Sequence, residues 1–369
     1  MTAGEPAVPG LLAELREKAR ARLDPVHWDF YEGGAGDETA VAENVAAFRR
    51  LALLPRVLCG AGPADTCVTL PGARALTPVV VAPTAFHTLA HPDGERATAR
   101  AAAAAGAVLI ASMASTTAVA EVTAAARLVR EDAAVWFQLY LQPDPEVTGA
   151  LVRRAERAGC TALVVTADSP VFGRRRRDDR NGFHDLPPGH AAENMRDLPG
   201  GPPGGTQDIA MSPALSWDDL RRLRDRHDLP LVLKGVLHPD DARLAVAEGM
   251  SAVIVSNHGG RQLDAAPAAV EALPRVADAV AGRIPVLLDG GVRSGSDVVK
   301  ALALGATAVG VGRPVLWGLA AGGQDGVAQV LAELRADTAH VLALCGAGDC
   351  AGPTRDQVVA RGPQAVAGC

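Results

Sequence analysis

Residues Ala252 to Asp264 read AVIVSNHGGRQLD. The apolar run Val253 to Val255 breaks at once into Ser, Asn, His, two glycines and Arg. This is how a buried parallel strand reads where it delivers polar side chains at its carboxyl end. His258 and Arg261 follow three residues apart on a turn freed by Gly259 and Gly260. A neutral imidazole can take a proton, and a guanidinium fork can hold a carboxylate through two hydrogen bonds. The pair therefore suits a 2-hydroxy acid. Taken alone, a His and an Arg are more often a polar loop closing a strand, so the rest of the chain has to decide.

Seven further apolar runs resemble this one. They are Pro78–Pro83, Val108–Ser112, Val135–Tyr140, Ala162–Asp168, Leu231–Gly235, Pro285–Gly291 and Ala308–Arg313. Helix-period segments lie between them, among them Gly94–Ala105, Pro145–Ala158, Ser216–Arg226, Pro239–Glu248 and Ser296–Leu304. Eight βα units in series predict an α/β fold, a (βα)8 TIM barrel. A doubly wound sheet would carry its Gly-rich phosphate turn after the first strand, and PVVVAPTAF has none. The glycines gather instead in DGGVRSGSD (Asp289 to Asp297) and VGVGRP (Val309 to Pro314), after the last two strands. There, converging amides, a helix beginning near Ser294 or Ser296, and the charges of Arg293 and Arg313 suit a phosphate. Thr84, Ser112, Gln138, Tyr140, Thr166, Asp168, Lys234, Ser256, His258, Arg261 and Asp289 all close apolar runs, which in such a barrel puts them on one face.

With 369 residues the chain could be two average domains or one large barrel, which composition separates only weakly. The eight βα units favour one domain, residues 1–369, with a helical N-terminal segment over 8–50. The chain is 48% hydrophobic and 21% charged, and at 3% aromatic its core must be built from Ala, Val and Leu. A net charge of −6 gives no general attraction to nucleic acid or to an anionic membrane. No stretch has the length of a signal peptide or a membrane span, so a cytoplasmic protein is expected. The six cysteines lack zinc or redox spacing and read as ordinary thiols, and no metal site is expected. Arg174 to Arg177 form a basic run without stacking aromatics, which reads as a solvated face rather than a nucleic-acid surface. Residues 182–213 are rich in Pro and Gly and lack either periodicity. A loop this long inside a barrel is functional or disordered.

SNHGGRQLD, DGGVRSGSDVVKALALGA, VGRP, LKGV, FQLY, TADSPVFGRRRRD and APTAFHTLAHPDGE together resemble the FMN-dependent 2-hydroxy acid oxidases and dehydrogenases, from about Trp28 to about Gly346. That family includes glycolate oxidase, lactate oxidase and mandelate-type enzymes. The resemblance implies bound FMN and oxidation of a 2-hydroxy acid to the keto acid. It makes His258 the base, Asp168 its orienting partner, and Arg261 and Arg175 the holders of the substrate carboxylate. Tyr140 would face the substrate, and Lys234 would stand beside the flavin as a fixed cation. Pro83, Thr84, Ala85, Ser112, Gln138, Thr166 and Ser256 match positions around the ring system. Asp289, Gly290, Gly291, Arg293, Gly312 and Arg313 match the ribityl and phosphate site. The 182–213 loop matches a lid. The resemblance further implies oxygen as electron acceptor and a homo-oligomer, a tetramer.

Two positions depart from the glycolate oxidase pattern. Phe30 stands where a substrate-binding hydroxyl is expected, which removes one hydrogen bond of about 0.5–1.5 kcal/mol. Met113 replaces a bulky aromatic. Together they suggest an apolar pocket and favour an aryl substrate such as mandelate or 4-hydroxymandelate, with lactate or glycolate as the alternative. Two rival classes remain at this point: a phosphate-binding isomerase or aldolase barrel using Lys234 as a Schiff-base amine, and a flavoprotein that binds hydroxy acids without turning them over.

Overall fold

The computed structural model describes residues 10–361. Three helices lead in, α1 (Leu11–Arg22), α2 (Pro25–Glu32) and α3 (Thr39–Arg49). The start of the expected helical segment, residues 8 and 9, lies outside the described residues. Eight parallel strands follow: β1 (Val79–Val81), β2 (Leu109–Ser112), β3 (Val135–Leu139), β4 (Ala162–Thr166), β5 (Leu231–Val236), β6 (Ala252–Val255), β7 (Val286–Asp289) and β8 (Ala308–Val311). Each falls inside its predicted run except β5, which extends one residue beyond it to Val236, and β8 pairs with β1 to close the barrel.

Helices surround this cylinder. They include α4 (Gly94–Ala105), α5 (Val119–Arg127), α6 (Pro145–Ala158), a short α7 (Arg176–Asn181), α8 (Trp217–Arg226), α9 (Pro239–Ala247), α10 (Ala269–Val280), α11 (Gly295–Ala303) and α12 (Arg313–Leu344). Several are Ala-rich with small buried faces, such as α4 and α5. The barrel interior is filled by Val80, Ile110, Trp136, Val164, Val232, Ile254 and Leu287. A hairpin, Val68–Leu70 with Ala73–Ala75, adds Leu70 and Ala75 to the same cluster and plugs the end opposite the site.

One open expectation narrows and another changes. Residues 182–213, read as functional or disordered, have defined structure: Glu193–Met195 forms a single turn, Arg196 bridges Thr206, and Met195 is buried. Asn194 anchors the segment by accepting from the Val119 N–H at 2.8 Å and donating to the Ser112 carbonyl at 3.3 Å. The arginine run is not simply solvated either. Arg177 pairs with Asp29 at 3.0 Å and with Glu38, and Arg176 pairs with Asp37, tying α7 to the N-terminal helices. Opposite charges 139 and 148 residues away are invisible to a local reading of the run.

Candidate active site

The carboxyl ends of the strands surround a cavity of about 820 Å³. In-register pairing sets Thr166 of β4 beside Lys234 of β5, and Ser112 of β2 beside Gln138 of β3. These side chains form a polar belt. Ser112 Oγ donates to Gln138 Oε1 at 3.0 Å, and Gln138 Nε2 donates to Thr166 Oγ1 at 3.1 Å. On the other side, Lys234 Nζ donates to Ser256 Oγ at 3.0 Å, Ser256 donates to Asp289 Oδ1 at 2.5 Å, and Lys234 lies 3.5 Å from Asp289 Oδ2. Burial pulls the Lys234 ammonium down, but Asp289 and Asp168 outweigh it and the pKa ends up raised. Lys234 is thus a fixed cation and not the free amine that a Schiff-base reading requires.

After β6 the chain turns tightly. His258 adopts φ +59, and Gly259 and Gly260 follow at +63 and +77. A left-handed conformation is unusual for His and is held here by its N–H donating to Ser256 Oγ at 3.0 Å. The turn aims His258 Nδ1 at Asp168 Oδ1, 2.9 Å away, and Nε2 at Tyr140 Oη, 3.4 Å away, with the two rings stacked. Asp168 can approach because position 235 is glycine: a Cβ there would lie 2.6 Å from Asp168 Cβ. Burial raises the Asp168 carboxyl, yet His258 and Lys234 overcome that and bring it to about 2. Burial also lowers His258, which Asp168 only partly offsets, so the imidazole is a neutral base with Nε2 toward the cavity.

Three guanidinium groups complete the wall. Arg261 Nη1 donates to the carbonyls of Phe30 at 2.7 Å and Gly33 at 2.8 Å, the main chain at the end of α2. Burial and the like charges of Arg175 and Arg313 hold its pKa well below the usual value. Arg313 donates to the carbonyls of Tyr31, Gly259 and Gly33. Arg293 lies over the Trp317 ring at 4.9 Å, and burial beside Arg313 brings its pKa down to about 10. Among the described residues none of Arg261, Arg293 and Arg313 has a carboxylate within ion-pair reach. Arg175 packs over Phe30 at 6.0 Å, stands 3.7 Å from Asp178, and leaves a buried Nε without a partner among the described residues. A site so rich in under-compensated positive charge calls for anions.

Gly290 and Gly291 take φ +100 and +87, and a Cβ at Gly291 would meet the Asn44 carbonyl at 1.9 Å. Ser294 caps α11 through the Asp297 N–H, and Gly312 precedes the first turn of α12, so two helix N-termini open toward Arg293 and Arg313. Amide donors, helix ends and cations fit a phosphate. The cavity, the polar belt and Lys234 fit the polar edge of a planar ring system, and the volume suits a cofactor with a small substrate. The residues present therefore fit FMN.

Pro83, Thr84, Ala85, Ser112, Gln138, Tyr140, Thr166, Arg175, Lys234, His258, Arg261, Asp289, Gly290, Gly291, Arg293, Gly312, Arg313 and Phe30 all line this cavity. Three expected residues do not. Asp168 stands behind His258, 2.9 Å from its Nδ1. Ser256 is fully buried beneath it, bridging Lys234 and Asp289. Met113 is fully buried behind the wall, where its sulfur accepts from the Tyr140 N–H at 3.0 Å. Sequence reasoning also missed several groups. Tyr31 lines the cavity and donates to the Phe86 carbonyl at 2.6 Å. Phe86 and Phe183 pack on Phe30 at 5.7 and 5.1 Å. Asn44 and Asn257 exchange side-chain hydrogen bonds at 2.8 and 3.0 Å. Asn257 and Phe86 carried a signal, their places in SNHGGRQLD and APTAFHTLAHPDGE.

Residues 19–360 match the family model described as FMN-dependent dehydrogenase. An L-lactate oxidase from Nostoc sp. is 46% identical over 91% of this chain and 94% of its own. A peroxisomal (S)-2-hydroxy-acid oxidase from Oryza sativa subsp. japonica is 42% identical over 97% of this chain and 98% of its own. A solved mandelate oxidase, in complex with 3,3-difluoro-2-hydroxy-3-phenylpropionic acid, superposes with a TM-score of 0.86 at 42% identity, covering 95% of this chain and 98% of that one.

Proposed function

Because the chain belongs to the FMN-dependent dehydrogenase family, we propose that it is an FMN-dependent oxidase converting a 2-hydroxy acid with an aryl side chain, of the mandelate or 4-hydroxymandelate kind, to the 2-keto acid. The observation that carries the chemistry is His258 Nε2, neutral and open to the cavity, with Nδ1 fixed on Asp168. Arg261 and Arg175 hold the substrate carboxylate, Arg261 with the N–H groups it does not spend on Phe30 and Gly33. That places the hydroxyl at His258, which removes its proton, while Tyr140 steadies the same oxygen. The Cα–H bond must break as well, and FMN bound in the cavity would accept the two electrons released with it. Lys234 holds positive charge at the ring's edge, and Ser256 with Asp289 keeps that ammonium in place. Thr84, Ser112, Gln138 and Thr166 offer polar contacts to the ring, and Gly291, Arg293, Gly312 and Arg313 take the phosphate.

The aryl preference is supported by the wall of Phe30, Phe86 and Phe183 and by kinship with a mandelate oxidase. Lactate is the second reading, favoured by the Nostoc relative. We also infer oxygen as the acceptor, since these relatives are named oxidases. We read 1–369 as one flavin-binding domain with 182–213 as its lid. Exposed Leu54, Val57 and Leu58 support a homo-oligomer, read as a tetramer. No helix of the described residues is long and apolar enough to cross a membrane, and a cytoplasmic location is our reading.

Anaerobic mixing with (S)-mandelate tests the assignment: the flavin should bleach, and His258→Ala should stay yellow but reduce several orders of magnitude more slowly. Reduction of that variant at near wild-type rate would refute the base. A colourless preparation would refute the cofactor.

A further inference from the structure

We propose that His87 is a positioning residue that fixes the Thr84 hydroxyl as a hydrogen-bond donor into the flavin cavity, an inference that rests on the FMN reading above. His87 opens the single turn after β1 and is buried. Its Nε2 lies 2.7 Å from Thr84 Oγ1 and its Nδ1 lies 2.9 Å from Thr98 Oγ1. Its backbone N–H donates to Glu95 Oε1 at 3.0 Å, and the Glu95 carboxylate also accepts from the Thr116 N–H and from the hydroxyls of Thr116 and Thr117. The imidazole is therefore held at both ring nitrogens and at the main chain.

Burial drives the His87 pKa down, so the ring is neutral and carries one N–H. Each ring nitrogen faces one threonine hydroxyl, so one of the two hydroxyls must donate and the other accept. Thr98 is fully enclosed and needs an acceptor for its proton, whereas Thr84 opens onto the cavity. The arrangement that satisfies both hydroxyls therefore puts the ring proton on Nε2, the nitrogen that faces Thr84. Nδ1 is then the acceptor, and Thr98 gives it its single proton. The other acceptor within reach of Thr98, the Gly94 carbonyl, is 3.5 Å away and a poor competitor. Thr84 Oγ1 thus accepts from His87 and keeps its own proton free, and Thr84 lines the cavity. An oxidised flavin presents nitrogen lone pairs, and reduction adds N–H groups. A hydroxyl locked as donor favours the oxidised ring. Without His87 it can turn and accept.

The first test needs no flavin. In apoprotein labelled with 15N-histidine, the His87 ring shifts should show the proton on Nε2; a proton on Nδ1 overturns the proposal. The second reads the FMN-loaded protein by potentiometric titration. His87→Leu should raise the reduced-to-oxidised ratio at fixed potential about tenfold, about 30 mV for a two-electron couple. His87→Gln, whose amide can donate to Thr84 and accept from Thr98, should stay near wild type. In a Thr84→Val background His87→Leu should add nothing. Unchanged potential in His87→Leu, or a further shift in the Thr84→Val background, sinks the proposal. Wild-type protein that takes up no FMN would sink the flavin reading instead, and the nitrogen shifts would still decide the orientation of His87.

Discussion

Asp168 Oδ1 stands 2.9 Å from His258 Nδ1, while the other oxygen of the same carboxylate is buried with no hydrogen-bond partner among the described residues. The contact assigns the imidazole its tautomer. An ionised carboxylate can only accept, so the proton must lie on Nδ1 and the lone pair on Nε2, facing Tyr140 and the cavity.

Asp168→Asn should therefore damage the base without touching it. An amide can present its NH2 to Nδ1, which moves the imidazole proton to Nε2 and leaves a donor where an acceptor is needed. Stopped-flow flavin reduction should slow by about 100-fold or more, with FMN still bound. A variant within a few-fold of wild type would mean that His258 is oriented by its turn and Ser256 alone.

Acid should weaken the protein through its buried histidines. Burial lowers both His258 and His87. A group kept neutral in the fold but free to protonate when unfolded makes unfolding take up protons. Stability is then full above about pH 6.5, the unfolded value, and falls as pH drops below it, by up to about 1.4 kcal/mol per pH unit for each histidine. Asp168, at about 2 in the fold, adds stability that is lost only below about pH 4. Urea midpoints measured from pH 8 to pH 5 should be level at first and then decline. A flat profile throughout would contradict the neutral burial of these rings.

The barrel and most of its mouth were legible because a parallel strand buried on both faces announces itself locally, as an apolar run ending in polar residues. The same property hid which way individual side chains face. Where both faces are buried, alternation gives no inside or outside, and Met113 and Ser256 were read as lining when they stand behind and beneath the wall. Contacts that join distant segments left no trace either. The Gly33 carbonyl accepts from both Arg261 and Arg313, and Asn44 meets Asn257, 213 residues away.

Gly291 should be among the least replaceable residues of the glycine loop after β7, the loop proposed to take the phosphate. Its φ is +87, and an added Cβ would sit 1.9 Å from the Asn44 carbonyl, a backbone atom with no room to move. At Gly290 the nearest atoms are the Asn44 side chain at 3.3 Å. Gly291→Ala should cost about 3 kcal/mol or more, and Gly290→Ala clearly less. Thermal melts with and without added FMN check the ranking, and equal melting temperatures for the two variants would contradict it.

Phe30 is the residue on which substrate choice should turn. Its ring is faced by the guanidinium groups of Arg261 at 5.1 Å and Arg175 at 6.0 Å and backed by Phe86 and Phe183. A hydroxyl added at this position stands beside the two groups assigned to the substrate carboxylate and offers it one more hydrogen bond, about 0.5–1.5 kcal/mol. It also brings a polar atom into the apolar wall proposed to receive an aryl side chain, so an aromatic acid gains less than a small one. Phe30→Tyr should raise kcat/KM for glycolate relative to mandelate by about 2- to 10-fold, chiefly through KM. If the ratio between the two substrates does not move, the Phe30 wall does not set the preference and the aryl assignment loses its structural support.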